Sequence, residues 1–251
     1  MDCQIGEMRA TVFTSPIVYD ENNVKRVTEL LSADDGFVAN PIKVASVQIV
    51  PGLKINVPTA SGSVPTEWEM ISEKNKIRIH FGPQKIDIVK NTFSNEQLIG
   101  YEAAFCEWAR EFFSKISERF ALVLTRLAFA PTYTPDWTKE FNRKSFSAKI
   151  YKKEPFRDSD IANLLFKQVF RVKETVCERD VLFNYVAEAS EGQSVVENIK
   201  NKSLTVRQML NLSLDINTYQ GNATEYTLEE LNEFFKNAPK YAKGFLEYYI
   251  G

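Results

Sequence analysis

The stretch "KIRIHFGPQKIDIV", residues 76–89, constrains the fold more than any other part of this chain. Ile77, Ile79 and Phe81 alternate with polar residues on one arm, and Ile86 and Ile88 do the same on the other. Successive side chains on a strand point to opposite faces, so the pattern describes a half-buried hairpin. A two-residue turn at Pro83-Gln84 then sets Phe81 opposite Ile86, His80 opposite Asp87 and Ile79 opposite Ile88. A loop one residue different would put an apolar side chain opposite a polar one and spoil the buried face. The parity predicts a His80–Asp87 pair on the more polar face.

The same reasoning reads the rest of the chain. Residues 20–33 carry Val24, Val27, Leu30 and Leu31 at helical spacing behind Asp20, a suitable N-cap. Strands are read at 42–50, 53–57 and 68–72, with 58–67 as the most loop-like stretch. Ser94 and Gln97 form a capping box ahead of a helix over about 95–120, with Tyr101, Phe105, Trp108, Phe112 and Ile116 in one apolar stripe. Glu107–Arg110 and Glu111–Lys115 are spaced to support its exposed side. Residues 121–130, "ALVLTRLAFA", read as a buried strand.

The second half follows the same plan. Residues 166–176 and 180–189 read as a hairpin joined near "CERD", and 207–219 as a third strand. Thr227 and Glu230 form another capping box, opening a helix with Leu231, Phe235, Ala238, Ala242, Phe245 and Tyr249 on one side. Pro239 inside that pattern predicts a kink or two abutting helices. "KIDIV" followed by "SNEQ" corresponds to "SLDIN" followed by "TLEE", with Asp87 and Asp215 in equivalent places. Either a duplication or two uses of a common arrangement produces this. The expected fold is α+β, with two similar lobes, each an antiparallel β-meander covered by a long amphipathic helix. The lobes span 1–130 and 161–251, with a basic-aromatic connector at 131–160.

Gross properties set limits on function. The formal charge of −2 gives no global attraction to nucleic acid or anionic membranes. The N-terminus lacks the basic and apolar regions of a secretory signal, and no apolar run is long enough to span a bilayer. Three cysteines at wide spacing fit neither a disulfide framework nor a zinc site, and suit a reduced cytoplasm.

Candidate chemistry is sparse. His80 is the single histidine, so every imidazole mechanism passes through it. Oriented by Asp87 it would make two-thirds of a nucleophilic triad, but no Ser, Thr or Cys is marked as the nucleophile. No GxGxxG or GxxxxGK[ST] spacing occurs, and one imidazole excludes HExxH sites, so neither a cofactor nor a metal is expected. Two charges interrupt apolar strands, Arg126 and Asp215. They pair if their strands are neighbours, or Arg126 serves as a ligand-binding charge in a cleft between the halves. In 139–153, Arg143, Lys144, Lys149 and Lys152 are interleaved with aromatics including Tyr151, a surface suited to nucleic acid or to a protein partner.

"LSLDINTYQGNATEYTLEELNEFF" and "LTRLAFAPTY" resemble a sporadically distributed bacterial family of uncharacterised proteins of about 250 residues. In that family a strand ending in D-I-D precedes a terminal acidic helix, where this chain has Asp215-Ile216-Asn217. The resemblance implies the two-part α+β layout and no activity.

These readings favour a non-enzymatic intracellular binding or interaction protein. The alternative is a carboxylate- or metal-dependent hydrolase or nucleic-acid-processing enzyme, with Asp87 and Asp215 converging between the lobes. A third possibility is a carrier of a small apolar ligand.

Overall fold

The N-terminal segment, given no element from its sequence, is the central strand of the molecule. In the computed structural model, which describes residues 3–42, 67–91, 101–135, 165–198, 203–222 and 225–250, strand β1 (Cys3–Phe13) pairs antiparallel on both sides. Its signal is ordinary alternation, with Met8, Ala10 and Val12 buried while Glu7 and Arg9 point the other way. Gly6 sits at a register shift that interrupts this alternation near its start.

The remaining elements follow in chain order. Helix α1 (Glu21–Thr28) is capped by Asp20, whose carboxylate accepts from the Asn23 N–H at 2.7 Å. Strands β2 (Val38–Ile42), β3 (Glu67–Ser72), β4 (Ile77–Phe81) and β5 (Lys85–Asn91) precede helix α2 (Tyr101–Phe120). Strand β6 (Arg126–Pro135) leads to β7 (Leu165–Val176), β8 (Arg179–Asn198) and β9 (Ser203–Thr218), and helix α3 (Leu228–Ile250) closes the chain.

All described strands belong to one antiparallel sheet, in the order β2-β3-β4-β5-β1-β6-β9-β8-β7. Both halves therefore build a single sheet rather than one each, joined where β6 pairs with β9. Strand β6 continues to Pro135, into the stretch read as connector. The hairpin register is the one parity requires: Phe81 faces Ile86, His80 faces Asp87 and Ile79 faces Ile88.

One face of the sheet carries the core. Trp68 stacks on Phe81 at 4.0 Å between centroids, and Phe129, Phe183 and Ile216 are fully buried. Each such side chain contributes roughly 2 kcal/mol by leaving water. Helix α2 lays Phe105 against Phe129, and Phe113 meets Phe235 of α3 at 5.4 Å. Asn232 of α3 accepts hydrogen bonds from Ser114 and Arg110 of α2. The second capping box is reciprocal: the Thr227 N–H donates to Glu230 at 2.8 Å, and the Glu230 N–H to the Thr227 hydroxyl at 3.2 Å.

One local expectation changes and two are sharpened. Residues 121–125 do not continue the α2-to-β6 run as a strand, because Ala121 turns the chain with φ +49° and Leu124 makes an isolated bridge to Tyr226. Of the two readings at Pro239, two abutting helices falls away, because α3 is one helix from Leu228 to Ile250 with Pro239 inside it. The two-residue turn Cys177-Glu178 joins β7 to β8, both residues having positive φ, which matches the right-handed twist of the strands. Residues 43–50 of the strand read at 42–50, the strand read at 53–57, residues 58–66 of the loop read at 58–67, the Ser94–Gln97 box and residues 136–160 of the connector read at 131–160 lie outside the described residues. Among the described residues no helix is long and apolar enough to cross a membrane.

Candidate functional site

The face of the sheet turned away from α2 and α3 carries a row from edge to edge that is polar except at Ala128. Asn40, Glu69, His80 and Asp87 lie side by side on β2 to β5. Thr11, Ala128, Asn217, Asn184 and Arg171 continue the row across β1, β6, β9, β8 and β7. Asn40 donates to Glu69 at 2.9 Å, Thr11 to Asp87 at 2.6 Å and Asn184 to Asn217 at 3.0 Å. Hydrogen bonds across neighbouring strands let this row sit in the middle of a sheet without unpaired carboxylates.

His80 is held from both sides. Its Nε2 lies 3.1 Å from Glu67 and its Nδ1 3.8 Å from Asp87. A catalytic histidine uses one nitrogen for orientation and keeps the other for the proton in flight. Here both face carboxylates. The contact with Asp87 raises the His80 pKa, burial opposes it, and Glu67 raises it further. Burial pushes Asp87 upward, but His80, Lys85 at 2.7 Å and Thr11 outweigh it and hold the carboxyl at about 2. The arrangement is an imidazole between two carboxylates that favour its protonated form, an anchor for the β3–β4–β5 meander.

Arg126 occupies a different setting. It opens β6 opposite Phe13, so its guanidinium lies over the Phe13 ring, 4.8 Å from the centroid. Around it is a cleft of about 680 Å³ lined by Phe13, Thr14, Ser15, Gln84, Thr125, Arg126, Gln220 and Glu225. Backbone bonds assemble these walls. The Thr14 N–H donates to Gln84 O at 3.0 Å, which ties the β4–β5 turn to the end of β1. The Thr125 N–H donates to Phe13 O, and the Tyr226 N–H to Leu124 O, bringing Glu225 alongside. The Arg126 Nε and the Thr14 hydroxyl are buried and have no hydrogen-bond partner among the described residues.

Arg126 and Asp215 do not pair. Strands β6 and β9 are neighbours, with Ala128 opposite Asn217. Carried along the strands, that register puts Asp215 level with Ala130 and Arg126 level with Tyr219. Asp215 lies instead in a shallow polar hollow with Glu7, Arg9, Lys167 and Glu188. Nor does Asp215 meet Asp87, because β1 and β6 stand between their strands, three strand spacings or roughly 14 Å apart. Arg143, Lys144, Lys149, Tyr151 and Lys152 lie outside the described residues.

Sequence reasoning missed Thr14, Gln84 and Glu225 because the cleft forms only when three chain segments meet at one end of the sheet. The pairing of Phe13 with Arg126 would have been the available signal, had β1 been read as a strand. Among the described residues no group of three or more potential metal ligands gathers. No family model matches this chain, and no curated protein matches it.

Proposed function

We propose that this is a non-enzymatic binding protein that holds a small ligand bearing a carboxylate or phosphate in the cleft beside Arg126. The observation that carries the reading is the Arg126 guanidinium, stacked on Phe13 in the wall of the cleft. The guanidinium fork matches paired anionic oxygens, and its stacking on Phe13 fixes its plane beforehand.

The rest of the cleft suits orientation rather than reaction. Ser15 and Thr125 offer hydroxyls, Gln84 and Gln220 offer amides, and Glu225 receives a donor at the ligand's far end. The engagement of both His80 nitrogens by carboxylates supports a binding role over acid–base chemistry. So does the separation of Asp87 from Asp215.

The same reading treats the two halves as similar units, each an opening strand, a three-stranded meander and a long amphipathic helix. The matching order on either side of the β1–β6 pair, with β5-β4-β3 on one flank and β9-β8-β7 on the other, supports it. A cytoplasmic location goes with this reading, supported by the free thiols of Cys106 and Cys177.

The test is thermal shift followed by calorimetry, using a panel of small carboxylates and phosphate esters. A ligand that raises the melting temperature of the wild type should lose at least about tenfold in affinity with Arg126→Lys, since charge remains but the fork is gone. No stabilisation by any anion in the panel, or equal affinity for Arg126→Ala, would defeat the proposal.

A further inference from the structure

Among the described residues the sheet ends at β7, which pairs with β8 and has no strand on its other side. Val176 faces Arg179 across the two-residue turn, and such a closing pair exchanges backbone bonds. Even-numbered residues of β7 are then committed to β8. The odd ones, from Leu165 to Thr175, turn their N–H and C=O groups outward.

The two faces of this edge differ in chemistry. On the helix side, Phe170 and Val172 are about 40% exposed and border a groove of about 470 Å³ against α3, with Tyr241, Phe245 and Tyr248 beyond them. Gly244 leaves open space there, since a Cβ on it would meet nothing within 4 Å. On the other face stand Lys167, Arg171 and Lys173, alternating with exposed Leu165 and Val169. Lys167 and Lys173 have surface partners in Glu188 and Asp180, pairs exposed enough to exchange for an incoming carboxylate.

These charges decide the occupant. A two-fold axis through the edge keeps faces together, so a second copy would pair β7 with itself about one central residue. Centred on Val169, it sets Lys167 opposite Arg171; on Phe170, Lys167 opposite Lys173. Centred on Arg171 it sets that residue against its own copy, and on Val172 it sets Arg171 opposite Lys173. Each of these four registers opposes two cations, which disfavours self-association through them.

The geometry points to β7 as a docking edge for an extended segment of another protein that alternates apolar and acidic residues. Such a segment adds a tenth strand, its backbone pairing with the outward groups of residues 165–175. Its apolar side chains enter the groove beside Phe170 and Tyr248, and its carboxylates meet Lys167, Arg171 and Lys173 on the opposite face.

The experiment is fluorescence anisotropy on the full chain. The probe is a labelled peptide of about nine residues alternating Glu with Val and Phe, long enough to cover the exposed edge. The controls are a counterpart with Lys for Glu and a peptide of the same composition with its Glu residues in one block. The alternating Glu peptide should bind at least about tenfold tighter than either control. Val169→Pro deletes an outward N–H without touching the ladder to β8, and should weaken binding at least about tenfold while circular dichroism stays unchanged. Arg171→Glu, a surface change that leaves the backbone alone, should weaken it at least about fivefold. Equal binding of all three peptides overturns the inference, as does unchanged affinity in both variants. A wild-type dimer in sedimentation equilibrium that Val169→Pro dissolves would overturn it in favour of a second copy.

Discussion

Thr11 and Asp87 face each other across β1 and β5, with the hydroxyl donating to the carboxylate at 2.6 Å inside the sheet. This bond joins the central strand to the His80 hairpin, and both residues are about 5% exposed. Thr11→Val keeps the shape and removes the donor. It should cost roughly 2 kcal/mol, the usual scale for a hydrogen bond to a charged group, read from urea unfolding. Asp87→Asn should cost more, roughly 3 kcal/mol, because His80 and Lys85 both lose their counter-charge.

The pH dependence of this cluster has two limbs. Asp87 falls from 3.8 to about 2 on folding, so its contribution is complete above pH 3.8 and lost as the pH drops toward 2. His80 moves up from 6.5, so its contribution is complete below pH 6.5 and lost as the pH rises through the folded value. The melting temperature should therefore decline on the alkaline side above pH 6.5. His80→Gln, which cannot become an imidazolium, should flatten that decline and leave the acid limb in place. A His80→Gln profile parallel to wild type above pH 6.5 would refute the doubly anchored imidazolium.

How far the sequence disclosed this architecture depends on how local each signal is. The His80–Asp87 register was readable because turn length and apolar parity both act within fourteen residues. The Thr227–Glu230 box was readable for the same reason. That β1 lies between β5 and β6 was not, since antiparallel partners can come from anywhere in a chain and alternation names no neighbour. The Arg126 cleft inherits that difficulty. Arg126 stands out in the sequence as a charge in an apolar strand, but alternation cannot show that Asp215 sits four register positions away from it.

The β7–β8 turn stores removable strain. Cys177 and Glu178 have φ of 47° and 65°, where a Cβ is crowded, and Cys177 is further held by Glu233 of α3, which accepts its N–H at 2.6 Å. Glu178→Gly relieves the second position without disturbing that bond. It should stabilise the protein by about 0.5–1 kcal/mol, raising the melting temperature by roughly 1–4 °C in calorimetry. A lower melting temperature would mean that the Glu178 side chain contributes more than its backbone costs.

The β6–β9 seam makes the strongest claim about cooperativity, because it is where the two halves become one sheet. At its end the Leu127 N–H donates to the Thr218 hydroxyl at 3.0 Å, and the same hydroxyl reaches Leu127 O at 3.5 Å. Both residues are buried, so the side chain stands in for a backbone partner where the ladder stops. Thr218→Val leaves those Leu127 groups unbonded and should cost roughly 2–3 kcal/mol. Helices α2 and α3 also pack across the seam through Phe113 and Phe235, so the halves should still unfold together. The expected urea curve keeps one transition with an unchanged slope and a lower midpoint. Two resolved transitions in the wild type would show that the halves fold separately, and that the seam carries little of the stability assigned to it.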